Sequence, residues 1–232
     1  SFQDFCIFLS VMIIRNLTLI FLPLALLLVG CASHPPVLPQ TPEKGQINTG
    51  FSFSIENVIP VIWWRYGLGQ YTDIGLKLGI PVSGTGIDIN RVLSKNDRRW
   101  DVLNIAYSIS PNSSFDFTYY MFKGGKREGS KTNPYNIGWK GFRGMIIPNG
   151  SYNKESGNDS SIRFGFLFGR RFGLRWGFET GYFHDFRAGF DEGNLDYPHK
   201  NPENNWPTQF SKGAGFSTQL FLYIGQTKKK KK

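Results

Sequence analysis

The chain has 232 residues and a formal net charge of +10 at pH 7, and the lysine run 228–232 alone supplies five of those charges. Charged residues make up only 19% of the chain, whereas about a quarter of the residues of a typical soluble domain are charged. The basic excess is therefore too small to indicate a nucleic-acid partner, and the lysine run is typical of a solvated tail. Both cysteines, Cys6 and Cys31, precede the body of the chain, which excludes a disulfide framework there.

The amino-terminal segment has the layout of a secretory signal peptide. Read from Met12, a short region that carries Arg15 precedes a long apolar run, and this run ends at the small residue Gly30. A positive region, an apolar region and a small-residue junction in this order are typical of cleaved export signals. We therefore interpret residues 1–30 as a signal peptide, with residues 1–11 upstream of the true start.

The same segment has a second interpretation, a transmembrane helix over residues 7–30. A stretch of that length is sufficient to cross a bilayer. Pro23 and the abrupt end of the apolar run at Gly30 favour cleavage instead. The absence of cysteine from residues 32–232 also fits an exported protein that avoids stray thiols.

The residues around the junction resemble a known motif. The stretch Leu28, Val29, Gly30 and Cys31 is similar to the lipobox of bacterial lipoproteins, in which the cysteine becomes the acylated amino terminus. The resemblance implies cleavage between Gly30 and Cys31 and a covalent lipid on Cys31, with no other cofactor. Ala32 stands where an aspartate often retains such proteins in the inner membrane, which points to the outer membrane. Several acyl chains anchor a protein stably, whereas a single one gives marginal binding.

Residues 31–46 are predicted to be a flexible linker that begins with the lipidated Cys31. The stretch 32–45 holds four prolines and has no periodic apolar pattern. Proline favours extended backbone without internal hydrogen bonds. We therefore expect a tether between the lipid and the folded body, with His34 exposed to solvent.

From residue 47 onward the sequence changes to a period of two residues. Ile74, Leu76 and Leu78 alternate with Gly75 and Lys77. Successive side chains of a strand point to opposite faces, so one face of this segment is aliphatic and the other is small or charged. Similar runs are predicted as strands at about 47–55, 58–68, 70–80, 84–93, 100–110, 114–123, 138–147, 160–170, 172–186 and 212–225.

These runs predict an all-β fold. Turn-rich segments separate them, and no helical stripe of comparable length follows residue 45. The expected architecture is an antiparallel up-and-down β-barrel of roughly eight to ten strands over residues 47–225. Residues 226–232 would then form a polylysine tail.

Two all-β interpretations differ in whether the aliphatic face of the sheet points into the barrel or out of it. In a soluble lipocalin-like barrel or a sandwich the aliphatic face points inward, whereas in an outer-membrane barrel it meets lipid. The second face here consists largely of glycine, serine, asparagine and alanine with sparse charges, which favours the membrane barrel. Aromatic residues near strand ends are predicted to form interfacial girdles. They are Trp63, Trp64, Tyr66, Tyr71, Trp100, Tyr119, Trp139, Tyr182 and Tyr223.

The pattern across residues 47–225 also resembles the small outer-membrane β-barrel proteins of Gram-negative bacteria. The resemblance implies a location in the outer membrane, contact with its lipid or lipopolysaccharide, and insertion by the outer-membrane assembly machinery. Such proteins typically end on an aromatic residue. This chain differs, since it continues through Gln226 and Thr227 into the lysine run.

Six charged residues fall on the small-residue face of the predicted strands. An isolated buried charge costs several kcal/mol, so charges inside a barrel must pair with one another. Such pairs would fill a narrow interior, whereas a small pore or a ligand cavity is the alternative. The interior of a barrel of about eight strands is just wide enough to be filled by side chains, which we expect here. The candidate lumen charges are Asp73, Lys77, Asp88, Arg163, Arg175 and Glu179.

No motif in the sequence indicates a metal site or a catalytic site. Three histidines without a nearby cysteine do not form a metal cluster. His184 with Ser211 or Ser217 would suit a lipid A deacylase or palmitoyl transferase, but the spacing does not require this pairing. We therefore predict a non-enzymatic protein with a structural or surface-interaction role. The alternatives are a narrow channel or hydrophobic-ligand transporter, a lipid-modifying enzyme, and a soluble periplasmic lipocalin-like lipoprotein.

Overall fold

The computed structural model describes residues 37–39, 42–54, 60–79, 85–109, 114–124, 136–148, 161–186 and 214–227. The predicted signal peptide, the lipid attachment site Cys31, His34, Ser211 and the lysine run lie outside the described residues. Within the described ranges, no helix has the length and apolar character needed to cross a membrane.

Ten β-strands account for nearly all of the regular structure in the described part of the chain. Every strand begins and ends within four residues of a run predicted from the two-residue period. The strands are β1 (Ile47–Ser54), β2 (Val61–Gly67), β3 (Thr72–Leu78), β4 (Thr85–Lys95), β5 (Arg99–Ile109), β6 (Ser114–Gly124), β7 (Ile137–Ile147), β8 (Ser161–Phe172), β9 (Trp176–Asp185) and β10 (Ala214–Thr227).

The strands form one closed barrel in which each strand pairs with its neighbours in sequence. β1 pairs with β10 and completes the ring, and all pairings are antiparallel. The β1–β10 register runs from Ile47 opposite Thr227 to Ser54 opposite Gln219, with an irregularity between Thr49 and Gly50. A closed ring leaves no sheet edge with unpaired backbone groups. The prediction of an antiparallel up-and-down barrel is therefore confirmed, with ten strands.

The even number of strands places the start of β1 and the end of β10 at the same end of the barrel. We call this the proximal end and the opposite one the distal end. Gly173 has a φ of 66° in the tight β8–β9 turn, a left-handed conformation that glycine adopts without strain. Connections at the proximal end are 68–71, 96–98, 125–136 and 173–175, and those at the distal end are 55–60, 79–84, 110–113, 148–160 and 186–213.

The aliphatic face of the sheet is the outer surface of the barrel. Ile74, Leu76 and Leu78 are each 42% exposed, whereas Asp73 and Lys77 on the same strand are buried inside. This orientation is the one that an outer-membrane barrel requires, and it is opposite to that of a lipocalin-like barrel. Other large apolar side chains exposed on the outer surface are Ile87, Ile89, Ile105, Phe115, Phe117, Phe142, Phe164, Phe166, Phe168 and Leu220.

Several aromatic residues predicted for interfacial girdles lie inside the barrel instead. Trp63, Trp139 and Tyr223 are buried because they occupy inward positions of β2, β7 and β10. The Trp63 and Tyr223 rings meet edge to face with centroids 5.9 Å apart. By contrast, Tyr66 and Tyr182 are exposed on the outer surface, as predicted. Position in the alternation therefore decides which aromatic rings face outward.

The described part of the predicted linker packs into the barrel and does not extend into solvent. Val37 and Leu38 are buried in the core cluster that fills the interior. The Tyr223 hydroxyl donates a hydrogen bond to the carbonyl of Val37, and the Trp100 indole donates one to the carbonyl of Pro39, both at 2.8 Å. The expectation of a free tether therefore fails for residues 37–39, because two apolar side chains there are buried by the barrel.

Candidate functional site

The interior of the barrel contains a high concentration of buried polar and charged side chains, and this lumen is the candidate functional site. Alternation along each strand turns these side chains inward while the aliphatic residues turn outward. The buried polar residues inside the strands are Asn48, Ser52, Arg65, Asp73, Lys77, Asp88, Asn90, Asn104, Ser108, Ser114, Asp116, Thr118, Arg143, Arg163, Arg171, Glu179 and Gln219.

Arg65 on β2 is paired with two carboxylates, one on the adjacent strand β3 and one on the next strand, β4. Its Nη2 lies 2.5 Å from Oδ1 of Asp73 on β3 and 2.7 Å from Oδ2 of Asp88 on β4, and its Nε donates to Asp73 Oδ1 at 2.7 Å. None of the three side chains is more than 1% exposed. Hydrogen-bonded pairing of this kind is what makes buried charges tolerable.

Two asparagines extend this ion cluster along β4 and β5. The Asn90 Nδ2 donates to Asp73 Oδ1 at 3.3 Å, and the Asn104 Nδ2 donates to Asp88 Oδ2 at 2.8 Å and to Asn90 Oδ1 at 2.7 Å. Gly75 leaves room for the cluster, because a Cβ there would lie 2.8 Å from an Arg65 nitrogen and would overlap the Asp88 carboxylate. The small residue at this position is therefore a requirement of the packing.

A second group of charges lies on β6, β7 and β9. Arg143 Nη2 is 3.8 Å from Asp116 Oδ2, and its Nε donates to the Thr118 hydroxyl at 3.0 Å. Glu179 accepts a hydrogen bond from the Trp139 indole at 2.7 Å. Buried polar contacts thus link nearby strands on more than one side of the lumen.

The structure places most of the predicted lumen charges inside, with one exception. Asp73, Lys77, Asp88, Arg163 and Glu179 are all buried within the barrel. By contrast, Arg175 is exposed in the turn 173–175, which corrects its assignment to the lumen. The physical reason is that β8 ends and β9 begins on either side of this turn, so the alternation that predicted an inward side chain is interrupted there.

Arg65, Asp116, Arg143 and Arg171 are buried charged residues that are not among the predicted lumen charges. Asp116 lies between Phe115 and Phe117, so the two-residue period already predicts that its side chain points to the opposite face from the two phenylalanines. The segment around Arg65 is apolar on both faces, since the interior there is filled by tryptophan and valine, so its period is hidden. Pairing across strands is the property that would have identified this residue.

The described register does not place His184 opposite Ser217. It is half-buried on β9, and its ring lies edge-on to Phe186 with centroids 4.8 Å apart. The register places His184 opposite Ala214, whereas Ser217 is opposite Gly181. Among the described residues, no three histidine, cysteine, aspartate or glutamate side chains are grouped to hold a metal ion.

The lumen near the buried linker segment is almost completely filled. A cavity of about 10 Å³ remains where Val37 and Leu38 approach Asn90, Asn104 and Tyr120. A volume of this size is close to the minimum that holds a single water molecule. A larger cavity of about 280 Å³ lies at the proximal end.

This arrangement defines a closed antiparallel β-barrel with an apolar exterior and a charged, filled interior. No protein-family model and no curated protein matches the chain. Among solved structures, the chain is similar to the crystal structure of Acinetobacter baumannii CarO, with a TM-score of 0.24 and 10% sequence identity over 76% of this chain and 96% of that chain. At that TM-score the likeness carries no conclusion about this chain.

The ion cluster predicts a large effect for one substitution. Replacing Arg65 by Met leaves Asp73 and Asp88 buried without their cation, and we expect the free energy of unfolding to fall by about 3–5 kcal/mol. Urea unfolding of the detergent-refolded protein, followed by tryptophan fluorescence, measures this change. The triple variant Arg65→Met/Asp73→Asn/Asp88→Asn should recover most of the loss.

Arg91→Met is the matched control, because Arg91 lies on the exposed outer face of β4 and bonds only at the surface to Thr72. Its unfolding midpoint should stay at the wild-type value. An Arg65→Met variant that unfolds like Arg91→Met would show that the cluster does not support the fold.

Proposed function

We propose that this chain is a lipid-anchored β-barrel protein of the bacterial outer membrane, with a structural or surface-interaction role and no enzymatic one. The observation that carries the proposal is the distribution of polarity. Leucine, isoleucine and phenylalanine cover the outside of the barrel, while charged side chains are buried inside, among them the paired Arg65, Asp73 and Asp88. A transmembrane barrel has this distribution, because its exterior faces hydrocarbon.

Two properties of the barrel favour a lipid bilayer over water as its surroundings. A largely apolar exterior is unfavourable in water, where soluble monomers rarely expose apolar patches larger than a few hundred Å². The closed ring of hydrogen bonds satisfies the strand backbone without water, which is the requirement for spanning hydrocarbon. A lipid bilayer meets both conditions at once.

The orientation in the membrane follows from the two ends of the barrel. Outer-membrane barrels place short turns on the periplasmic side and longer loops outside. Three of the four proximal connections are tight turns (68–71, 96–98 and 173–175), the fourth is 125–136, and the two longest connections of the barrel, 148–160 and 186–213, are distal. The buried linker segment enters at the proximal end. The proximal end therefore faces the periplasm in this proposal, where a lipid on Cys31 can enter the inner leaflet.

The partners follow from the same orientation. The apolar exterior contacts outer-membrane lipid, and the distal end faces lipopolysaccharide. Its longest connections are 148–160 and 186–213. In a structural or surface-interaction role, these connections would contact other molecules. Insertion would require the outer-membrane assembly machinery.

A closed resting state is favoured over an open pore. Buried ion pairs between neighbouring strands project into the lumen, and Val37 and Leu38 are buried at its proximal side. The narrow channel is the second candidate, because buried atoms of Asp116 and Arg143 have no hydrogen-bond partner among the described residues. Such atoms favour water inside the lumen, and a continuous file of water is what a channel requires.

Membrane insertion is tested by placing a charge on the lipid face. Phe166 lies in the middle of β8 and is 55% exposed, so Phe166→Arg should weaken insertion by about 2–4 kcal/mol. The protein is expressed with a signal peptide that does not direct lipidation, and the fraction that resists carbonate washing is measured. Release of the otherwise unchanged protein by carbonate would contradict the spanning barrel.

Leu93→Arg is the matched control for this substitution. Leu93 is also 55% exposed, but it lies near the proximal end of β4. Arginine near the interface costs much less than arginine at the centre of the bilayer. The control should therefore remain in the carbonate-resistant fraction, and equal loss of both variants would count against the assigned lipid face.

The lipid anchor has a separate test. Mass spectrometry of the mature protein should find Cys31 as the amino-terminal residue, with acyl chains on its sulfur and its amino group. An unmodified Cys31, or peptides from residues 12–30 in the mature protein, would rule out the lipoprotein assignment.

The closed state predicts the electrical behaviour of the barrel. In planar bilayers the wild-type protein should show almost no current. The double variant Trp100→Phe/Tyr223→Phe keeps the rings but removes both hydrogen bonds to residues 37–39, so we expect more frequent openings. Tyr66→Phe, a change on the outer surface, is the control. Steady conductance of the wild-type protein would favour the channel over the closed barrel.

A further inference from the structure

The proximal cavity of about 280 Å³ is a half-open pocket lined by segments that are far apart in sequence. Leu38 of the buried linker segment forms one wall, and Trp63 of β2 and Tyr223 of β10 contribute aromatic rings. Ligand pockets are typically lined by apolar and aromatic side chains with a few polar groups. The volume is slightly below the usual range for drug-sized ligands, so the pocket can bury only a small chemical group.

Two buried polar atoms in the lining have no partner among the described residues. They are the indole Nε1 of Trp63, a donor, and the side-chain Oδ1 of Asn48, an acceptor. Trp63 is 0% exposed and Asn48 is 3% exposed. Buried polar groups are nearly always hydrogen-bonded, so a donor and an acceptor in one cavity wall indicate an occupant that bonds to them.

Two arginines give the cavity a positive wall. The Arg171 Nε and Nη2 donate to the carbonyls of Gly173 and Leu174 at 3.0 and 2.9 Å, and its guanidinium lies 4.2 Å from the centre of the Tyr223 ring. These contacts fix the guanidinium in place. The exposed Arg175 also lines the cavity, and the described lining includes no carboxylate. An anion is therefore the favoured occupant.

We propose that the proximal cavity binds a small carboxylate with an apolar body. The exposed Arg175 guanidinium can recognise a planar carboxylate through paired hydrogen bonds, whereas Arg171, whose Nε and Nη2 donate to backbone carbonyls, contributes positive charge. The Trp63 N–H supplies a further donor, and Leu38, Ile224 and the aromatic rings accommodate an apolar body. This site is independent of whether the barrel spans a membrane, and it is separate from the ion cluster around Arg65.

Benzoate and its uncharged analogue benzamide test the proposal directly. Saturation-transfer NMR with the full chain in detergent micelles should show saturable binding of benzoate and about tenfold weaker binding of benzamide. Arg175→Gln should weaken benzoate binding by about tenfold, because one cation at the cavity is lost. Trp63→Phe keeps an aromatic ring but removes the N–H, and should also weaken binding.

Arg170→Gln is the control, since Arg170 lies on the outer face of β8 beside Arg171 and does not line the cavity. Benzoate binding by this variant should equal that of the wild-type protein. Arg175 is exposed in a turn, so its substitution leaves the fold intact and gives a readout even if Trp63→Phe fails to fold. Equal affinity for benzoate and benzamide, unchanged benzoate binding by Arg175→Gln, or no saturable binding would each overturn the proposal.

Discussion

Arg65 holds Asp73 and Asp88 inside the barrel, with none of the three side chains more than 1% exposed, and it connects β2, β3 and β4. Because a strand alternates its side chains between two faces, a slip of one residue would turn these charges outward and the aliphatic residues inward. The cluster therefore specifies the register of three strands. It also determines that Ile74 and Leu76 point away from the lumen, and the apolar exterior depends on that direction.

The interior and the exterior of the barrel support the same interpretation. A filled, paired lumen needs small residues at close approaches, such as Gly75 beside Arg65 and Asp88. The buried Val37 and Leu38 close the proximal side with an apolar contact that a freely exposed linker would lack. In the proposed membrane setting, lipid hydrocarbon contacts the apolar outer side chains, while the polar inner side chains form hydrogen bonds and ion pairs with one another. The interior therefore needs no lipid, whereas the outer surface does.

The sequence predicted the strands well because a two-residue period is local, as the alternation of Phe115, Asp116 and Phe117 illustrates. It predicted buried charges such as Asp73 for the same reason. It missed Arg65, whose segment is apolar on both faces. Burial of residues 37–39 depends on contacts with strands that are remote in sequence, and local composition does not predict such contacts. The proximal cavity is likewise formed by residues that are remote in sequence. Local periodicity therefore predicts the elements, whereas pairing and closure require the folded barrel.

The direction of the aliphatic face is tested most directly by NMR of the methyl-labelled protein in lipid nanodiscs. Nuclear Overhauser effects between acyl-chain methylenes and side-chain methyl groups report which residues contact lipid. We expect such contacts for Ile74, Leu76 and Leu78, which are exposed, and none for Val102 and Leu167, which are buried inside. Lipid contacts at Val102 and Leu167 with none at Ile74, Leu76 and Leu78 would contradict the account.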